Sequence, residues 1–237
     1  MLKDKRIVIL GGTSGIGLAV ARRATAEGAC VVVVSSSTAR VQRALAELPG
    51  AQGEALNLRA SGELGAWFER LGTLDHLVFT AGEELLLSPL AELDLERARE
   101  FFELRYWAAL AAVQAAAPRL AQHGSIVLTG GSAGVRPPPG FLIGAGICAA
   151  MEATVRALAV ELAPIRVNIV VPGFVDTSLW SNIPEPGRSQ MFAAAAAKLP
   201  VGRIGKPDDL AEHYLGFMRG AYVTGQALIV DGGGVLV

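Results

Sequence analysis

A glycine-rich turn, Leu10-Gly11-Gly12-Thr13-Ser14-Gly15-Ile16-Gly17, constrains this chain more than any other stretch. It follows an apolar run over residues 7–10 that reads as a buried parallel strand. Residues 18–27 then read as a helix with Leu18, Ala21 and Ala24/Thr25 on one face. A turn of this kind, between a strand and a helix N-terminus, suits a pyrophosphate. Glycines let the backbone come close, and the free amides at the helix start point at the anion. The spacing is Gly-x-x-x-Gly-x-Gly, which differs from the common Gly-x-Gly-x-x-Gly dinucleotide fingerprint. The alternative is an ordinary tight strand-to-helix loop.

The rest of the chain repeats the alternation. Strands are expected over residues 30–34, 55–58, 76–80, 125–129, 166–171 and 227–230. Helices are expected over 38–48, 61–71 (Ser61 as N-cap), 95–120, 144–162 and around 190–198, with another starting at Pro207. Pro118 stands near the end of the longest helix, where it kinks or stops it. The 237 residues suit one α/β domain, 1–237, with no linker or repeat. The pattern predicts a doubly wound parallel sheet flanked by helices. Its ligand edge, at the carboxyl ends of the strands, would comprise residues 11–17, Ser35 to Ser37, Asn57, 80–82, 129–132 and 172–177.

Bulk properties narrow the partners. A net charge of −1 gives no reason to expect nucleic acid or an anionic membrane surface. No apolar run reads as a membrane span, and the charged N-terminus leads into too short an apolar stretch for a signal peptide. Cys30 and Cys148 fit no disulfide framework, and the three histidines make no metal site. A cytoplasmic protein acting on a small molecule is expected.

Several segments together resemble the short-chain dehydrogenase/reductase family over essentially the whole chain. Gly11-x-x-x-Gly15-x-Gly17 is similar to the family's cofactor loop, with Leu10 where Thr is usual. Residues 74–82 resemble its strand ending in Asn-Asn-Ala-Gly, with Phe79 and Thr80 in place of both asparagines. Ile165-Arg166-Val167-Asn168 and 172–177 are similar to the strand and loop on the nicotinamide side. Residues 202–205, 223–226 and 231–233 are similar to the C-terminal signatures.

The resemblance implies a Rossmann-type fold, hydride transfer between a nicotinamide and a carbonyl or alcohol, and a homo-oligomer, tetramer or dimer. In it the 95–120 and 144–162 helices would pack across subunits. The small residues of the second helix, Gly144, Ala145, Gly146, Ala149, Ala150 and Ala153, would equally suit packing within one subunit. The cofactor positions it implies are Gly11, Thr13, Ser14, Gly15, Ile16, Gly17, Ser35, Ser36, Ser37, Asn57, Leu58, Ala81, Gly82, Pro172, Gly173, Val175 and Thr177. Where an acid would hydrogen-bond the adenine ribose of NAD, this chain has three serines, with Arg40 close by. That favours NADP(H) over NAD(H); the alternative is a serine turn that caps the next helix.

The catalytic set departs from the family. The family's Tyr donates a proton, and a Lys four residues on lowers the Tyr pKa. Those positions fall on Gly144 and Cys148, the catalytic Ser position falls on Gly131 beside Ser132, and the helix Asn position falls on Arg105. The tyrosines are Tyr106, Tyr214 and Tyr222, and none has a lysine four residues on, so no register restores the motif. Arg105 either polarises a substrate carbonyl or binds a carboxylate, or it snorkels outward from an apolar helix. It is a poor acid. Cys148 reads as a buried neutral thiol with no nearby cation in sequence. Glu83 and Glu84 read as solvated, and Arg136 sits in a Gly/Pro-rich loop. Residues 177–200, with Leu179, Trp180, Met191 and Phe192, would form an apolar lid over a partly hydrophobic ligand. Two functions lead: an atypical NADP(H)-dependent oxidoreductase using Arg105 and Ser132, or a nucleotide-binding protein that does not catalyse; a lyase or isomerase that keeps the fold but uses other groups is a weaker third.

Overall fold

The computed structural model describes every residue except Glu83, and describes Ser61 by its backbone alone. Among the described residues seven strands lie in one parallel sheet of order β3-β2-β1-β4-β5-β6-β7. They are β1 Arg6–Leu10, β2 Cys30–Ser35, β3 Gln52–Ala55, β4 Leu74–Phe79, β5 Leu120–Thr129, β6 Arg166–Pro172 and β7 Ala227–Val230. Order reverses between β1 and β4, so the carboxyl ends of these two strands open the crevice where such sheets bind ligands.

The alternation of β-branched residues explains why both faces are covered. In β1, Val8 and Leu10 point to one face and Ile7 and Ile9 to the other, and all four are fully buried. The first face packs against α3 (Ser61–Leu71), α5 (Ala108–Ala116) and α6 (Leu142–Glu161). The second packs against α1 (Gly15–Ala26), α2 (Thr38–Glu47) and α8 (Pro207–Arg219). Burying each such aliphatic side chain is worth about 1.5–3 kcal/mol. Arg166 at the base of β6 donates to the Phe217 and Met218 carbonyls, at 2.5 and 2.9 Å, and so satisfies the C-terminal end of α8.

Several expectations need correction. The third strand lies at Gln52–Ala55, three residues before the expected run, because Leu56 and Leu58 bury in a loop beyond the sheet edge. On α1 the buried face is Gly17, Val20, Ala21 and Ala24, with Leu18 only half-buried. The residue at the N-cap of α3 is Ala60, and the capping role expected of the Ser61 side chain lies outside what is described. The expectation for Glu83 also lies outside the described residues.

The expected 95–120 helix is not uniform. It runs as α4 (Leu95–Phe102), a π-helical turn (Glu103–Trp107) and α5, and a 3-10 turn at Ala117–Arg119 containing Pro118 ends it. Helix α6 is long and apolar enough to cross a membrane by length and composition alone, contrary to the expectation from sequence. Its Ile147, Met151, Val155, Leu158 and Ala159 face the core under β6. The lid helix, α7, is Gly187–Ala196.

Candidate functional site

The glycine turn closes against β4, and this sets the shape of the crevice. Gly11 has φ +88°, and a Cβ on it would stand 2.5 Å from the Ala81 nitrogen. Thr80, which replaces an expected asparagine, donates through Oγ1 toward the Leu10 and Gly11 carbonyls at 3.3 and 3.2 Å. Gly17 lies behind the turn: a Cβ there would collide with the Gly11 carbonyl oxygen. Its lack of a side chain lets α1 approach β1 closely, and it does not line the crevice. The first turn of α1 carries no acidic residue, and the Ser14 side chain makes no capping bond. The amides at this helix start therefore face a cleft with no competing carboxylate from their own helix.

The cleft is about 1380 Å³ and runs from α2 to the lid. At its α2 end it is lined by Ser35, Ser36, Arg40, Asn57, Leu58 and Arg59. Ser37 stands outside it, and its hydroxyl accepts from the Arg40 amide at 3.4 Å as the N-cap of α2. The serine turn thus divides its work between the cleft and the helix cap. Thr13, Ser14, Gly15 and Ile16 line the middle, with Gly11, Ala81 and Gly82 opposite. Pro172, Gly173, Val175 and Thr177 line the far side. Gly173 lies against Asp231, whose carboxylate accepts from the Gly233 and Val235 amides at 2.8 Å each.

At the far end the cleft is lined by Arg105, Gly131, Ser132, Gly144 and Cys148. Arg105 is at the centre of the π-helical turn, where the wider backbone spacing interrupts the regular α-helical face. Its guanidinium lies over the Phe101 ring, 4.5 Å from the centroid. A Cβ on Gly82 would stand 3.1–3.2 Å from its Nη1, Cζ and Nη2 alike, so the guanidinium lies flat against that glycine. Burial pulls the Arg105 pKa down to about 10, partly opposed by Cys148. Burial pushes the Cys148 thiol up to about 11, with Arg105 opposing and Glu152 adding to the rise. The thiol is therefore neutral at physiological pH. Sequence showed no cation near Cys148; the fold brings Arg105 to it from another helix.

Gly144 opens onto empty space, with nothing within 4 Å of where its Cβ would be. Gly131 is crowded: its Cβ would stand 2.9 Å from the Cys148 sulfur. In the lid, Leu179, Trp180 and Met191 line the cleft, whereas Phe192 packs edge-on against Trp180. Trp180 is an anchor as much as a lid residue, stacking on Phe174 and donating to the Val175 carbonyl at 2.9 Å. Two bonds that sequence reasoning missed tie the lid to the loop after β4. Ser181 Oγ donates to Glu84 at 2.9 Å and Asn182 to the Leu85 carbonyl at 3.1 Å. Glu84 is thus engaged across the cleft. Among the described residues no cluster of His, Cys, Asp and Glu could hold a metal.

Comparison with known proteins places this geometry in context. A protein family described as enoyl-(acyl carrier protein) reductase matches residues 11–234. The chain is 35% identical over 252 residues to the short-chain dehydrogenase/reductase ATR9 of Stachybotrys chlorohalonatus, covering 99% of this chain and 98% of that one. It is 32% identical to the short-chain dehydrogenase/reductase malC of Malbranchea aurantiaca, covering 100% and 96%. Among solved structures, it is similar to a small-chain dehydrogenase in complex with NADPH, with TM-score 0.89 and 33% identity over 99% of this chain and 100% of that one. It is also similar to the MalC reductase/Diels-Alderase of Malbranchea aurantiaca, with TM-score 0.91 and 30% identity over 100% and 97%.

Proposed function

The chain belongs to the short-chain dehydrogenase/reductase family, and on that premise we propose that it is an NADP(H)-dependent oxidoreductase working without the family's Tyr–Lys pair. One observation carries this reading: the acid-free start of α1 and the Ser35/Ser36/Arg40 pocket share one continuous cleft with Arg105 and Ser132. The turn of residues 11–16 and the α1 amides would hold the pyrophosphate, and Asn57 and Leu58 the adenine. Ser35, Ser36 and Arg40 would receive a 2′-phosphate, which an acid at this position would repel. Thr177 would meet the carboxamide of the nicotinamide, the group that supplies or accepts hydride when bound. The relative solved with NADPH supports the cofactor class.

On the substrate side, Arg105 anchors or polarises a carbonyl oxygen. The proton then comes from solvent, a substrate group or the Ser132 hydroxyl. The substrate is a small, partly apolar molecule, in keeping with Leu85, Leu86, Leu179 and Met191 on the cleft wall. The protein works in the cytoplasm as a homo-oligomer, a tetramer or dimer, with no nucleic-acid or membrane partner. Exposed Val160 on α6 and Trp107 at the end of the π turn support a subunit contact there. Light scattering tests the oligomer.

Calorimetric titration with NADPH and, separately, NADH tests the cofactor reading, and NADPH consumption over a carbonyl panel tests the reaction. Tighter NADPH binding with turnover is expected; binding of neither removes the reading. A second reading, an NADP(H)-binding sensor or partner subunit without catalysis, is favoured by the absence of side chains at Gly131 and Gly144. NADPH binding with no consumption of it over the panel would select that reading.

A further inference from the structure

The loop after β4 is held across the cleft at both ends. At one end the Ser181 hydroxyl donates to Glu84 and the Asn182 side-chain amide to the Leu85 carbonyl, at 2.9 and 3.1 Å. At the other end the Ser88 amide donates to the Gly140 carbonyl at 3.0 Å. Glu84, Leu85, Ser181 and Asn182 all line the cleft, and Glu84, Ser181 and Asn182 are exposed. The two side-chain bonds therefore bridge the cleft at its surface, and residues 84–88 form a strap over it.

The two ends are held differently. The Ser88 end joins backbone to backbone, and its partner Gly140 follows three consecutive prolines that stiffen the loop. The Ser181 end has a fixed post: Trp180 is buried, stacks on Phe174 and donates to the Val175 carbonyl. On the strap side of that end stand only the two exposed bonds and the half-buried Leu85 and Leu86. Breaking the two bonds leaves no buried polar group unpaired. The Ser181 hydroxyl also lies 2.7 Å from the Ser178 carbonyl, which accepts its proton when Glu84 moves away. Water reaches the exposed Glu84 carboxylate and Asn182 amide. A contact of this kind opens at far lower cost than a buried one.

We propose that residues 84–88 gate the cleft, and that Glu84 and Asn182 are the positioning residues that hold the gate shut. A dinucleotide then enters and leaves through the open form, so the latch governs association as well as release. The part that concerns the dinucleotide rests on the cofactor reading above.

The test is the double variant Glu84→Ala/Asn182→Ala, which cuts both bonds and leaves the hydrogen bond of Ser181 to Ser178 in place. Both side chains are exposed, so the fold is retained. Stopped-flow fluorescence of NADPH, mixed with the protein and then chased with NADP+, reads both rates. Association and dissociation should each rise roughly tenfold, the scale of one charge-assisted hydrogen bond, with affinity held within about threefold. Glu84→Gln alone, which keeps an acceptor for Ser181, should stay within about twofold of the parent. A rise in dissociation alone would make these residues ordinary contacts and overturn the gate, as would two unchanged rates.

A second readout needs no cofactor. Cys148 lines the cleft, so in a Cys30→Ser background its reaction with a chromogenic disulfide reagent reports access to the interior. Cutting the latch should speed that reaction at least about threefold. Equal thiol rates overturn the gate. NADPH binding by neither protein removes the cofactor reading, and the thiol rates then decide the gate by themselves.

Discussion

The Cβ that Gly131 lacks would stand 2.9 Å from the sulfur of Cys148, so a side chain at 131 would collide with that thiol. The resemblance to the family implies that these are the positions of its catalytic serine and lysine. Here the thiol occupies the space that a side chain at 131 would need. Gly131 has an extended backbone, φ −172° and ψ 144°, so the constraint is purely one of contact.

That contact predicts a double-mutant cycle. Gly131→Ser should lower stability by about 1–3 kcal/mol, the usual cost of overpacking. Cys148→Ala should recover most of the loss when combined with it, and urea midpoints of the four proteins measure the coupling. Equal losses with and without Cys148 would show that the sulfur is not the obstacle.

The serine turn separates two roles by position. Ser36 lines the cleft, so Ser36→Asp should lower NADPH affinity at least about tenfold and shift preference toward NADH. Ser37 caps α2, so Ser37→Ala should cost about 1 kcal/mol of stability and leave NADPH affinity unchanged. Calorimetry and denaturation on both variants check the division.

His76 makes the fold acid-sensitive. It is 4% exposed on β4, and its Nδ1 lies 2.9 Å from the Ser125 hydroxyl of β5. Burial holds its pKa down at about 4, against the opposing pull of Asp75. The folded pKa lies below the unfolded value near 6.5, so the unfolded chain takes up the proton first. Stability is therefore full above about pH 6.5 and falls as the pH drops toward about 4. The loss from this group should reach about 2 kcal/mol near pH 5, and urea midpoints across that window measure it. A His76→Asn variant should show a flatter profile over the same range.

The two thiols should differ in reactivity. Cys30 is exposed at the start of β2, whereas Cys148 is half-buried with its thiol held up at about 11. With a chromogenic disulfide reagent near about pH 8, Cys30 should react first, and Cys148 at least about tenfold more slowly. Cys30→Ser should remove the fast phase. A fast phase that persists in that variant would mean that Arg105 activates Cys148.

Much of this molecule is legible in its sequence. The β-branched runs, the glycine turn and Pro207 at a helix start are local signals, and the strands at 30–35, 166–172 and 227–230 lie where the alternation places them. The strand near residue 55 was misplaced because Leu56 and Leu58 are buried without being in a strand, and apolar character alone cannot distinguish the two. The π turn at Glu103–Trp107 left no mark in the helical periodicity, since it changes backbone hydrogen bonding within a segment that remains helical.

The sequence by itself determined the alternating fold, the glycine turn between β1 and α1 and the absence of a Tyr-x-x-x-Lys pair, because each depends on residue type at fixed short spacing. Only the tertiary structure decided that Arg105 points into the cleft rather than outward, and that it stands beside Cys148. It also decided that Ser37 serves the helix while Ser36 faces the cleft. The physical reason is that these relationships join residues from separate elements, and their distances are set by how α5, α6 and the strand ends pack across the sheet.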